Sequence, residues 1–210
     1  MLAARRGPLF IIAAIGVAAT RLYIPSLTDG LTADDFPQWA VEKGVSAGSL
    51  VSVTIDPNGR VLRCDKLNEV GDPNLANVVC NVLKNKRLKR PTLSDGSNVY
   101  ATGTTLIKFT IPGTTEGRRI DALRTEPDAE ISVNRLSAGD PIVSITLGYN
   151  SSGKVIDCAA ADWEKDTRLA SIACSQRSIF DGAIFKDPSG QPVSYVTWKK
   201  VRFTTPSQAK

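Results

Sequence analysis

The sequence predicts an α+β fold built twice: two tandem domains, each a small three-stranded antiparallel sheet with one packed helix. Three observations carry this. Gly59, Val61, Cys64, Asp72, Cys80, Gly96 and Val99 recur 94 residues later as Gly153, Val155, Cys158, Asp166, Cys174, Gly190 and Val193. Runs of β-branched residues flank a strong turn signal in the first copy. An apolar pattern of helical period follows the second of those runs.

Each element follows in order. Leu50 to Ile55 reads as a strand, Asp56-Pro57-Asn58-Gly59 as a hairpin turn, and Arg60 to Leu67 as the returning strand. Asp72 is the expected helix N-cap, with Pro73 at the first helical position where its missing N–H is harmless. Leu75, Val78, Val79 and Val82 then fall on one helical face. Pro91 and Asp95-Gly96 close that region. Tyr100 to Ile111 is the third strand, with Thr105, Ile107, Phe109 and Ile111 sharing a face. Upstream of the turn, Val51 to Thr54 aligns with Val143 to Thr146, which puts two extra residues into the second turn, Gly148 to Gly153. The domains are expected at 30–112 and 128–206, joined by a linker at 113–127 that opens Pro112-Gly113-Thr114-Thr115.

Composition excludes several chemistries. The chain has 210 residues, 42% of them apolar, which is enough to build real cores. It has no histidine, so imidazole bases, histidine triads and histidine metal sites are absent. A net charge of +5 with both signs interspersed is an ordinary solvated surface, and no nucleic-acid partner is expected. No catalytic group, metal site or cofactor is expected. The basic cluster Lys84, Lys86, Arg87, Lys89 and Arg90 suits a helix C-terminus, or a patch for anionic partners.

Residues 1–20 carry Arg5 and Arg6 ahead of an apolar run at 8–19 and the small residues Ala18 and Ala19. Such a run fits a cleaved export signal or a short inner-membrane anchor. Either one exports the remainder. Cys64 and Cys80 are 16 residues apart, as are Cys158 and Cys174, and duplication makes one disulfide within each copy the economical pairing. A four-thiolate zinc site and a redox pair are the alternatives, and both lack close cysteine spacing.

The run from Asp35 to Pro91 resembles the C-terminal domain of TonB-family energy transducers. It carries the aromatic-Pro pair Phe36-Pro37, a small-residue turn, a strand, Asp-Pro-Asn-Gly-Arg-Val, a second strand, a helix with Leu75-Ala76 and a basic stretch before Pro91. Pro141 to Thr204 resembles the same domain without the aromatic-Pro pair. The resemblance implies a periplasmic protein that binds an extended segment of an outer-membrane transporter, or of another envelope protein, by adding it to a sheet edge. The implied edge is the last strand of each copy: Thr102, Thr104, Leu106 and Lys108 in the first, and Thr197, Lys199, Val201 and Phe203 in the second. The alternatives are a structural envelope protein whose edges pair internally, or an anchored transducer; a homodimer is a further expected partner state. The family's anchor histidine and long Pro-rich spacer have no counterpart in this sequence, which favours a binding protein over a motor component.

Overall fold

The structure is a computed structural model that describes residues 21–28, 31–136 and 141–205. The expected signal or anchor at 1–20 lies outside the described residues. Among the described residues, no helix is long and apolar enough to cross a membrane. In chain order the elements are α1 (Gln38–Glu42), β1 (Ala47–Ile55), β2 (Val61–Gly71), α2 (Pro73–Asn85), β3 (Tyr100–Phe109), α3 (Thr115–Asp121), β4 (Ala129–Ser132), β5 (Ile142–Tyr149), β6 (Val155–Ala160), α4 (Thr167–Ser175) and β7 (Tyr195–Thr204).

Local chemistry fixes the first copy. Asp56 Oδ1 accepts from the N–H groups of Asn58 and Arg60, both at 2.8 Å, and so closes the β1–β2 turn. Gly59 sits at φ +82°, and a Cβ there would meet the Leu88 carbonyl oxygen at 2.2 Å, so both conformation and space require glycine. Asp72 caps α2 by accepting from Asn74 and Leu75 N–H. α2 buries Leu75, Ala76, Val79 and Leu83 against β1 and β3. Ser49 Oγ on β1 donates to the Ala76 carbonyl at 2.9 Å and ties helix to sheet. β1 begins at Ala47, three residues before its expected start. Its small residues Ala47 and Gly48 carry no strand signal, and pairing on both sides holds them, with β2 at Gly71 and Val70 and with β3 at Phe109 and Lys108.

The second copy repeats the scheme with the same turn length. Asn150 takes the place of Asp56, accepting from Ser152 and Lys154 N–H at 3.1 and 2.9 Å. Ile55 pairs with Ala101 and Tyr149 with Tyr195, so the 94-residue offset runs unbroken through β1 and β5. The expected two-residue insertion in the second turn is therefore corrected. The Val-Ser-x-Thr likeness that suggested it is a chance echo two residues out of register. Asp166 caps α4, which buries Leu169, Ala170 and Ala173. Tyr149 and Tyr195 stack at 4.6 Å, and their hydroxyls donate to the carbonyls of Phe180 and Ala183. Burial pushes the Tyr195 phenol up to about 12, and raises Tyr149 as well. The unfolded chain, with tyrosines near 10, loses these protons first, so stability falls as pH rises from about 10 to about 12. Tyrosinate absorbance followed against pH should show Tyr149 and Tyr195 ionising late, and urea midpoints should drop over that window. Ordinary titration of Tyr149 and Tyr195 would contradict this packing.

The expected separation of the two sheets does not hold. β2-β1-β3 and β6-β5-β7 are antiparallel triplets, but they join edge to edge into one seven-stranded sheet of order β2-β1-β3-β7-β5-β6, with β4 beside β7. The junction is short and parallel, Tyr100 with Tyr195 and Ala101 with Val196. This pairing is offset by 95 residues, one more than the repeat. An odd shift exchanges the faces of a strand. Ala101, Val196 and Trp198 accordingly join the cluster under α2, while Tyr100 and Tyr195 pack in the cluster under α4. The two helices lie on opposite faces of the sheet.

Two further elements occupy the segment expected to be linker and domain edge. Thr114 caps α3 by accepting from Gly117 N–H at 2.9 Å. β4 pairs in parallel with Val201–Thr204 of β7.

Candidate functional site: the outer edge of β3

β7 has β5 on one side over its length, so β3 and β4 share its other side. Among the described residues, β3 pairs with β7 only at Tyr100 and Ala101 and then diverges, leaving its edge toward β7 without a strand partner from Thr102 to Phe109. Trp198 fills the apex of the divergence. Its Nε1 donates to the Thr104 carbonyl at 3.2 Å, and its ring lies where a Cβ on Gly103 would sit, at 2.6 Å.

The Thr104 carbonyl thus points away from β1. Backbone groups alternate along a strand, so the N–H and C=O groups of Leu106 and Lys108 point the same way. Of the first-copy edge residues, Thr102 and Thr104 lie at the apex, and Leu106 and Lys108 have no strand paired on that side among the described residues. In the second copy the same edge is taken. β4 pairs with Val201 and Phe203, Asp128 accepts from the Lys199 ammonium and the Lys200 N–H, both at 2.8 Å, and Asp128 N–H donates to the Lys200 carbonyl. Thr197 is buried beside the junction. Phe36 of the aromatic-Pro pair packs edge-on to Phe109 at 5.5 Å, and Pro37 precedes α1.

A cavity of about 430 Å³ adjoins the open edge on the face away from α2. Leu50, Val70, Leu106, Leu123 and Trp198 form its apolar wall, and its charged lining is Lys200, Arg124, Glu69, Glu126 and Asp128. Lys200 Nζ bonds Thr125 Oγ1. Lys108 Nζ donates to the carbonyls of Asp121 and Leu123 at 2.7 and 2.8 Å. Burial, and then the neighbouring Arg124 guanidinium, hold the Lys108 ammonium below the usual lysine range. For Lys200 burial also lowers, with Asp128 opposing and Arg124 adding.

Cys64 and Cys80 form one disulfide, and Cys158 and Cys174 form the other. Each ties the second strand of its copy to the helix above it. The bridges mark a chain that matures in an oxidising, extracytoplasmic compartment. Elsewhere in the first copy, Lys86 of the basic cluster pairs with Asp35 at 2.8 Å, so part of that cluster is spent on structure.

The chain matches no protein-family model, no curated protein and no solved structure.

The sequence shows β3 as a strand but not the place of Trp198 at the junction, β4 or the Asp128 contacts. No local signal marks an indole that plugs a gap between copies. The Asp128 contacts depend on a parallel pairing that no repeat arithmetic contains.

Proposed function

We propose that this protein binds an extended segment of another cell-envelope protein, such as an outer-membrane transporter, by adding it as a strand to β3. The observation that carries this reading is the edge of β3 beyond Trp198, which pairs with no strand among the described residues. An open edge offers N–H and C=O groups that a guest backbone satisfies, while alternate guest side chains fill the flanking clefts. The likeness of the sequence to TonB C-terminal domains supports the periplasm as the setting, with the transporter plug as the class of guest. The occupied edge of β7 supports a single guest per chain, and it is also the feature that favours the purely structural alternative.

The test is a titration of the isotopically labelled chain with transporter plug peptides, followed by backbone amide resonances. Leu106 and Lys108 should shift and gain exchange protection, while Val201 and Phe203 should not move. Unmoved β3 amides at millimolar peptide would reject strand addition and leave the structural alternative standing.

A further inference from the structure

The cavity beside β3 combines an apolar body with the cations Lys200 and Arg124 and the carboxylates Glu69, Glu126 and Asp128, and Lys108 stands outside this lining. Lys108 and Lys200 form no ion pair with any described residue; their ammonium groups bond only neutral oxygens, two carbonyls and a hydroxyl. Arg124 Nη1 likewise donates to the carbonyls of Asp121 and Leu123, at 2.6 and 2.8 Å. Asp121 favours the charged form of Lys108 and Asp128 that of Lys200, but neither forms an ion pair with these lysines. Glu69 binds Lys66, Asp128 binds Lys199, and Glu126 reaches outward, 94% exposed, to within 3.9 Å of Arg202. Three cations therefore crowd the linker between α3 and β4; burial is the main cause that lowers both lysines, with Arg124 adding to it and Asp121 and Asp128 opposing.

The apolar wall is equally unspent. Leu50, Val70 and Leu106 are half-buried on the sheet face away from α2, and Ile120 and Leu123 lean over that face near Gly48. An anionic group at Lys200 and Arg124 would relieve the mutual repulsion, and a hydrocarbon body would dry the wall. The volume suits a body of about ten carbons.

We propose that this cavity binds a small amphipathic carboxylate, with its anionic group at Lys200 and Arg124 and its hydrocarbon against Leu50, Leu106 and Leu123. The site lies on the sheet face and stands whether or not β3 accepts a guest strand.

Calorimetry of the full chain with decanoate tests it, with decanol and decylammonium as comparators and all three kept below micelle formation. Decanoate should bind saturably at one per chain, decylammonium should not bind, and decanol should be at least about tenfold weaker. Lys200→Met should weaken decanoate by about tenfold, and Lys200→Arg should restore most of it. Leu50→Trp, which fills the cavity and leaves the cations in place, should abolish binding, with thermal melts confirming that each variant folds. Amide shifts on decanoate addition should centre on Leu50, Val70 and Leu106. The proposal is overturned if decanoate does not saturate, if decanol binds as well as decanoate, or if both Lys200→Met and Leu50→Trp bind as the parent does. A peptide that shifts β3 amides without displacing decanoate would leave both readings standing; a peptide that displaces it would place a guest side chain in the same cavity.

Discussion

Trp198→Ala is expected to lower stability by about 3–5 kcal/mol, the range for emptying a large aromatic site in a packed interior. The indole is 8% exposed, lies on Gly103 of the other copy, and is the largest side chain that bridges the two triplets where their strands part. Removing it leaves a void against a glycine, which has no side chain to collapse into the space. It also frees the Thr104 carbonyl from its indole partner. Trp198→Phe separates the two effects: it keeps most of the packing and loses about 1 kcal/mol with the hydrogen bond. Urea unfolding measures both. A loss below about 1 kcal/mol for the alanine variant would mean that the copies are held together elsewhere. The same variant lengthens the open edge of β3, so a guest peptide should then perturb Thr102 as well as Leu106.

The second large effect concerns the disulfides. Each bridge spans a sequence separation of 16 residues, and closing a loop of that size restricts the unfolded chain by about 3 kcal/mol. Replacing either pair by alanine should lower the urea midpoint by a comparable amount. The local consequences should differ. α2 has 13 residues and four buried side chains, whereas α4 has nine residues and buries Leu169 and two alanines. Less apolar area holds α4, so loss of Cys158 and Cys174 should speed amide exchange throughout α4. Loss of Cys64 and Cys80 should leave most of α2 protected. Equal exchange in the two helices after either replacement would count against packing as the cause.

The features legible in the sequence are those made by local chemistry. A capping aspartate, a turn with an asparagine or aspartate acceptor, a glycine forced to positive φ and a cysteine pair all act within about 20 residues, and each leaves its mark twice. The strand that offers the open edge was legible for the same reason. α3 was not, because Gly117 reads as linker composition. In the fold Gly117 is required by space rather than by flexibility, since a Cβ there would sit 2.3 Å from the Ile111 carbonyl oxygen. β4 was not legible either. Four residues show no period, and Ala129–Ser132 become a strand only because the edge of β7 is there to receive them. The junction of the triplets turns on whether one offset is odd or even. No residue encodes that parity locally.

That parity has a consequence for the repeat as a whole. With the helices on opposite faces, each triplet has a second face that its own helix cannot reach. In the first copy, Ile120 and Leu123 cover it at Gly48; in the second, Leu22 and Leu93 cover it at Gly148. These covers come from outside the triplet they protect: the first from the connection after β3, the second from chain that precedes β3. Each half has given up its self-sufficiency and wears a lid cut from elsewhere in the chain. A piece ending at Pro112 would keep its three strands and its disulfide, yet would leave Leu50 and Leu106 bare to water. Duplication here has gone past the point at which the copies could part.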